Sequence, residues 1–253
     1  MEYAALGGLT EKLLQFGLTR QEASIYLCLL RNRELSGYEV SKLTGISRSN
    51  VYSALAGLVD EGAAYLLEGE TNKYTAVPVG DFCQNRIREL ERLREELIGQ
   101  IPKTEPDTEG YITVSSHRHI MDKLYNMLEH VEHRVYLSIP VQYVGLVGGQ
   151  LRRLTAEGKK VVLLLSEPAE ENLEGCVIYV TGKEDRQLRL IVDSAYVLTG
   201  ELTGSAADNC LYCGQKNFVN VFKDSLRNEI KLIELTGGIS LNGKKGICDE
   251  GTD

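Results

Sequence analysis

From Thr19 to Leu30 apolar side chains return every three or four positions, so that Ala23, Tyr26, Leu27 and Leu30 share one face of a helix. Thr19 stands where an N-cap belongs, and Glu22 follows at the spacing of a capping box. Ser36 and Glu39 repeat that spacing ahead of Val40 and Leu43, and Gly45 closes this shorter helix as its C′ residue. Ser47 then caps a third helix that runs to about Glu61 and stops at Gly62, with Val51, Leu55, Leu58 and Val59 on its core side. In "AAYLLEGETNKYTAVP" two short apolar runs flank a turn-rich centre, which reads as a β-hairpin. Helix, short helix, tight turn, helix and hairpin, in that order, spell a winged helix-turn-helix over residues 1–80.

A different pattern follows. In "VGDFCQNRIRELERLREELIGQI" Asp81 is the expected cap. Phe82, Ile87, Leu90, Leu93, Leu97 and Ile101 form a seam at steps of three and four, flanked by Arg and Glu. A helix of about three heptads is marginal alone, so residues 81–101 are expected to pair with a second copy as a coiled coil, making a homodimer. Residues 102–109, with Pro102 and Pro106, read as a linker. From 110 to 236 strand-like runs alternate with helical ones, and "KKVVLLLSEP" is apolar almost throughout, as in a sheet covered on both faces. The tail 237–253 is Gly-rich and polar and is expected to be mobile. The expected fold class is α+β multidomain: winged helix-turn-helix, coiled-coil helix, then an α/β domain.

The third helix opens with an unusual face. Ser47, Arg48, Ser49, Asn50, Tyr52 and Ser53 are small hydrogen-bonding groups, one cation and one tyrosine, where a solvated helix normally shows Glu, Lys and Gln. Short donors and acceptors suit close approach to base edges in a major groove, and Arg48 is the best placed for a guanine or a phosphate. Lys42 on the helix before, with Asn72 and Lys73 on the hairpin, would hold the phosphate backbone to either side. The bland alternative is that Ser47 only caps and the remainder is solvated. Bulk charge does not decide between them. The chain carries 28 Lys and Arg against 36 Asp and Glu, a net of −8. A nucleic-acid surface must therefore be local.

The stretch 6–80, with "FGLT", "EASIYLCLL", "ISRSNVYSAL" and "KYTAVP", resembles the N-terminal domain of the TrmB family of transcriptional regulators. That resemblance implies a dimeric protein that binds a double-stranded DNA operator. It also implies a C-terminal domain of phospholipase-D-like fold that senses a small-molecule effector, sugars being the class it points to. The phospholipase D pattern itself, His-x-Lys-x4-Asp followed by Gly-Ser, is broken. With its aspartate set on Asp193, the histidine position falls on Arg186, the lysine position on Leu188, and Gly200 is followed by Glu201. No catalytic residue is therefore assigned, and no cofactor. Effector candidates, chosen because they stand where strands end, are Ser138, Ser166, Glu167, Asp193 and Glu201. Asp193 has a competing role as the cap of a turn between two strands. His117, His119, His130 and His133 read as surface histidines.

Six cysteines are present. Cys210 and Cys213 make one Cys-x-x-Cys, a weak metal or thiol signal that leaves a metal- or redox-responsive regulator as an alternative, with no metal ligand assigned. A ligand-independent dimeric DNA-binding protein is a further alternative. No apolar run reaches the roughly 20 residues of a membrane span, and the first residues lack the basic and apolar regions of a signal peptide, so no membrane partner and a cytoplasmic location are expected.

Overall fold

The computed structural model describes residues 2–102, 110–181, 186–235 and 240–241, and divides into two units, Met1–Thr104 and Glu105–Asp253. The linker 102–109 and the tail 237–253 lie almost wholly outside the described residues.

The first unit runs α1 (Glu2–Gln15), α2 (Arg20–Arg31), β1 (Leu35–Ser36), α3 (Gly37–Thr44), α4 (Arg48–Asp60), β2 (Ala64–Leu67), β3 (Lys73–Ala76) and α5 (Val79–Gln100). Both capping boxes form. Glu22 N–H donates to the Thr19 hydroxyl and Thr19 N–H to the Glu22 carboxylate, and Ser36 and Glu39 repeat the exchange. Gly45 takes φ 73°, the left-handed conformation that ends α3 and turns the chain into α4. The strands order as β1-β3-β2, so the hairpin β2–β3 is the wing and β1 covers one edge of it. Helix α1 has no counterpart in the sequence reading, because Gly7 and Gly8 interrupt its period and each costs about 1 kcal/mol in a helix interior.

Ile25, Tyr26, Leu29, Val51, Leu55, Leu58 and Phe82 form the heart of this unit's core. The Tyr26 hydroxyl donates to the Val77 carbonyl at 2.8 Å, and burial, aided by Cys83 nearby, pushes its pKa up to about 12. Two expectations are corrected here. Asp81 does not cap α5, which begins at Val79 behind Pro78 and leaves Asp81 in its first turn. Phe82 is no part of a dimer seam. It is 1% exposed, its ring centroid lies 5.5 Å from that of Tyr26 and 6.4 Å from that of Phe16, and it belongs to the winged unit's own core. A helical period shows which residues share a face but not what covers each of them.

The second unit runs β4 (Ile112–Ser115), α6 (His117–Glu129), β5 (Arg134–Ser138), a 3-10 turn (Val141–Tyr143), α7 (Val144–Ala156), β6 (Lys160–Leu165), β7 (Val177–Val180), β8 (Gln187–Val192), β9 (Tyr196–Glu201), β10 (Asn209–Cys213), α8 (Lys216–Leu235) and β11 (Ser240–Leu241). Its sheet orders β11-β7-β6-β5-β8-β9-β10-β4. Strands β5, β6 and β7 are parallel, and every other pairing is antiparallel. Alternation along the strands divides the core into two layers. On one face Leu137, Leu163, Leu165, Leu188, Leu190 and Leu198 meet apolar residues of α6 and α7 such as Leu124, Leu128, Leu151 and Leu154. On the other, Val162, Leu164, Ile191 and Val197 meet Val219 and Leu226 of α8. Arg189 ties α8 to this second face through a 2.8 Å ion pair with Glu229 and also reaches the Ser138 hydroxyl at 3.3 Å.

Asp193 and Ser194 (φ 49° and 56°) are the central residues of the turn in the three-residue connection Asp193–Ala195 between β8 and β9, closed by Ala195 N–H to Val192 C=O at 2.9 Å. The Asp193 carboxylate accepts from the backbone N–H groups of Glu132, His133 and Arg134, each at 2.8 Å. It is the clasp between this turn and the entry to β5, so the turn role prevails over an effector role. Burial raises its pKa, but the three donors outweigh burial and hold it below the usual carboxylate value.

Two outcomes test this core. Phe82→Ala should lower unfolding stability by ~3–5 kcal/mol, the cost of truncating a buried ring. A loss under about 1 kcal/mol in chemical denaturation would mean that the ring is not core. Asp193→Ala should cost ~1–3 kcal/mol at neutral pH, because three N–H groups lose their acceptor. A depressed folded-state pKa gives stability that is present above the ordinary carboxylate value and lost as pH falls through the folded one. The gap between wild type and Asp193→Ala should therefore narrow in acid, and a gap independent of pH would contradict a charged clasp.

Candidate nucleic-acid interface and effector cleft

Helix α4 buries Val51, Ala54, Leu55 and Leu58 and turns Ser47, Arg48, Ser49, Asn50, Tyr52 and Ser53 outward. Ser47 occupies the N-cap position but its hydroxyl makes no capping bond, and lies instead 3.4 Å from the Ser49 hydroxyl. This corrects the expectation that Ser47 caps the helix through its side chain. The consequence is an α4 N-terminus with no side-chain cap and two exposed hydroxyls beside it. A helix start of this kind favours an anion through its N–H groups and dipole.

Arg48 lies with its guanidinium carbon 4.6 Å from the ring centroid of Tyr38, a cation–π arrangement that holds the cation at the helix start. Tyr38, on α3, is 53% exposed. It is a member of this face that the sequence reading missed. Its signal was present: an aromatic residue two positions after a cap, on the side of α3 away from buried Val40. Tyr52 turns neither wholly inward nor wholly out. It is 50% exposed and lies across Gly37, where a Cβ would come within 2.5 Å of its ring, so only glycine lets α3 and this ring approach. Lys42 is exposed in the last turn of α3. On the wing, Asn72 is exposed, and the Lys73 ammonium is 3.9 Å from Glu34, a loose and exposed pair that competes little with a phosphate.

Beyond Phe82, the α5 seam is bare. Ile87, Leu90, Leu93, Leu97 and Ile101 are exposed, Leu90 by 53% and Leu97 by 56%, and Ile98 joins them. Arg86 marks where this face begins, since it turns back to Glu61 at 3.3 Å and to Glu89 at 2.6 Å.

In the second unit a cleft of about 460 Å³ opens at one edge of the sheet. Pro140, Val141 and Gln142 line it after β5, Ser166 and Glu167 after β6, and Arg186 at the start of β8, with Leu202 and Thr203 beyond β9. Two of the five effector candidates, Ser166 and Glu167, therefore meet there. The other three do not. Ser138 is buried and bound by Arg189 on the α8 face, Asp193 stands at the opposite end of β8, and Glu201 alternates with Gly200 and Leu202 so that it points away from the cleft face. Position along a strand end was legible, but which face each residue takes depends on register.

The cleft wall at Thr203 is fixed from behind. Asp208, whose side chain is 2% exposed, accepts from Thr203 N–H at 3.0 Å, from Gly204 N–H at 2.9 Å and from the Thr203 hydroxyl. Burial raises its pKa, and these donors together hold it below the usual value. His117 Nδ1 lies 3.5 Å from the same carboxylate, and its ring packs against Tyr143 at 5.2 Å. His117 is thus a half-buried partner of Asp208 rather than a surface histidine.

A second hollow, of about 450 Å³, lies by the β8–β9 turn, where the Lys123 ammonium sits 3.6 Å from the centroid of Tyr212 and Tyr212 stacks on Tyr196. Burial lowers the pKa of Lys123. The phospholipase D lysine position, Leu188, is wholly buried. Cys210 and Cys213 are both buried on β10 and stand three residues apart on one strand, so their thiols leave opposite faces of the sheet. Burial pushes the Cys210 thiol up to about 11. That arrangement overturns a shared metal or disulfide at this pair.

Comparison with known proteins gives these residues a setting. Residues 13–80 match the family described as sugar-specific transcriptional regulator TrmB. Over 155 residues the chain is 26% identical to YrhO of Bacillus subtilis, covering 60% of this chain and 56% of that one. It is 24% identical over 155 residues to the HTH-type sugar sensing transcriptional regulator TrmBL1 of Pyrococcus furiosus, covering 56% and 43%. The chain thus spans about half the length of the curated relatives it matches. Among solved structures, TrmBL2, described as an archaeal chromatin protein with a novel mode of DNA binding, aligns over 93% of this chain and 99% of its own, at 19% identity and a TM-score of 0.44. Nuc from Salmonella typhimurium, a phospholipase D family member, aligns over 53% and 99%, at 10% identity and a TM-score of 0.42. The match places the winged domain, residues 13–80, with the TrmB family of transcriptional regulators.

Proposed function

We propose that this protein is a homodimeric DNA-binding transcriptional regulator whose C-terminal unit responds to a small-molecule effector. The observation that carries the reading is the exposed start of α4, where Arg48 is held on Tyr38 beside the exposed, mutually hydrogen-bonded hydroxyls of Ser47 and Ser49. In it, Arg48, Asn50 and Ser53 reach base edges in the major groove, the α4 N-terminus meets a phosphate, and Lys42, Asn72 and Lys73 hold the backbone on either side. Tyr38 limits the freedom of Arg48, so less side-chain entropy is lost on binding.

The dimer forms through the α5 seam of Ile87, Leu90, Leu93, Leu97 and Ile101, a run of large apolar groups on one helix face that water covers poorly. Two winged units then meet two half-sites, and operator symmetry mirrors the protein's. The effector occupies the cleft of Ser166, Glu167 and Arg186 and biases the dimer between states that fit the operator differently. The C-terminal unit acts without catalysis, since the histidine and lysine positions of the phospholipase D pattern hold Arg186 and Leu188. Among the described residues no helix is long and apolar enough to cross a membrane.

Selection of genomic fragments with the purified chain tests the reading, and an enriched motif with two half-sites is the expected result. Arg48→Ala should then weaken that motif by ~1–3 kcal/mol while leaving random DNA little changed. Lys73→Ala should weaken all sequences alike and lower the salt slope by about one. Equal losses on cognate and random DNA for both variants would remove Arg48 from base reading. Replacing Leu90 and Leu97 together with Glu should yield folded monomers that lose the operator. An unchanged dimer mass by light scattering would exclude the α5 seam as the interface.

A further inference from the structure

We propose that the cleft between β6 and β8 takes a small zwitterion, a free α-amino acid, with its carboxylate on Arg186 and its ammonium on Glu167. The inference rests on the effector reading of this cleft and adds the chemical class of its ligand.

The sheet places these two charges. Leu165, Leu188 and Leu202 belong to one core layer, under α6 and α7. Arg186 stands two residues before Leu188 and extends the β8–β9 ladder, so alternation turns its side chain toward that same face, and Glu167, in the bend after β6, lines the same cleft. Leu202 N–H donates to the Arg186 carbonyl at 2.8 Å, which extends the β8–β9 ladder by one step and fixes the backbone from which Arg186 projects. In the strand order β5 lies between β6 and β8. Two strand spacings make a gap of about 10 Å between the backbones that carry Glu167 and Arg186. The end of β5 is also where direction changes, since β6 runs parallel to it and β8 antiparallel. Such a point opens a crevice at strand ends.

Neither charge is spent. Among the described residues no ion pair involves Glu167 or Arg186, and both are exposed to the cleft. One cation and one anion face each other across a concavity lined on its remaining sides by Pro140, Val141 and Leu202, with the Gln142 amide and the Ser166 hydroxyl as neutral partners. Thr203 offers less, because its hydroxyl is already given to Asp208. A guanidinium binds a carboxylate through paired N–H donors, and a carboxylate accepts from an ammonium, so a ligand with both groups on one carbon satisfies both walls together. A phosphate or dicarboxylate would meet Arg186 but also the Glu167 charge. A neutral polyol would leave both charges unneutralised. The cleft's volume, about 460 Å³, leaves room for a side chain over Val141 and Leu202.

The test uses the full chain. Thermal shift followed by titration calorimetry is run with pools of the twenty free L-amino acids and, separately, with a panel of mono- and disaccharides. Saturable binding of at least one amino acid is expected, weakened about tenfold or more in its N-acetyl and carboxamide forms, each of which lacks one charge. Arg186→Gln and Glu167→Gln should each weaken it about tenfold or more, with unchanged melting temperature of the free protein, since both side chains are exposed. Binding of a saccharide and of no amino acid would overturn the zwitterion and keep the effector cleft. Amino-acid binding that survives both substitutions would place the ligand elsewhere and overturn this assignment. Silence from both panels would overturn the ligand class and the effector reading together.

Discussion

Everything in the first unit depends on one continuous helix having two different neighbours. The first turn of α5 delivers Phe82 into the core between Tyr26 and Phe16, and Arg86 ties the second turn to Glu61. From Ile87 on, the same helix presents apolar groups to solvent. No loop separates the two regions, so whatever covers the later face is coupled through one helix to the winged unit's core and the exposed face of α4. In a helix, torsional play between residues 82 and 87 is small, and the position of one winged unit relative to another would be set by how two such faces meet. That is a direct physical route from packing on α5 to half-site spacing. Within the seam, Arg94 falls at the heptad position between Ile87 and Ile101, a polar break of the kind that fixes register at some cost in stability.

Where local signals are reciprocal, the sequence is readable. Thr19 with Glu22 and Ser36 with Glu39 each name a helix start twice over, once as acceptor and once as donor, and Gly45 names an end. Those three marks place α2, α3 and α4 almost to the residue. Failures occur where the deciding partner is remote. Phe82 shares the period of Leu90 and Leu97, and only the fold of α1 and α2 around it makes it core. Ser138, Ser166, Glu167, Asp193 and Glu201 all stand near strand ends, yet only Ser166 and Glu167 line the cleft. Register and strand direction separate them, and neither is written in local composition. Tyr38 escaped for a related reason: its importance lies in the cation it supports on another helix.

The second unit shows how a broken pattern is still informative. Leu188, which falls at the lysine position when the phospholipase D motif is set on Asp193, is part of the apolar layer beneath α6 and α7. A residue buried this way cannot be exchanged for lysine without stranding a charge. Arg186, at the histidine position, keeps a place on the cleft, where it offers charge without nucleophilicity. Asp208 fixes the wall from behind, accepting from the backbone N–H groups of Thr203 and Gly204 and from the Thr203 hydroxyl, with His117 at its other side.

For an acidic chain, the proposed binding of a polyanion meets an electrostatic difficulty, and the layout of charge answers part of it. Residues 1–80 hold 7 Lys and Arg against 9 Asp and Glu. Several of those acids are committed locally. Glu22 and Glu39 close capping boxes, with the Glu39 carboxyl held below its usual pKa by Ser36, and Glu61 is paired with Arg86. The reading face itself, from Ser47 to Ser53, contains Arg48 and no acid. At physiological ionic strength the Debye length is about 8 Å, so the wing acids Glu68 and Glu70 repel a phosphate only when it comes near them. Long-range attraction is accordingly weak and non-specific binding modest. In the proposed reading, more of the affinity comes from short-range contacts at the start of α4 and from joining two such faces in one dimer. On that reading, scarcity of positive charge favours specificity, since a regulator that holds random DNA poorly has less to overcome in finding its site.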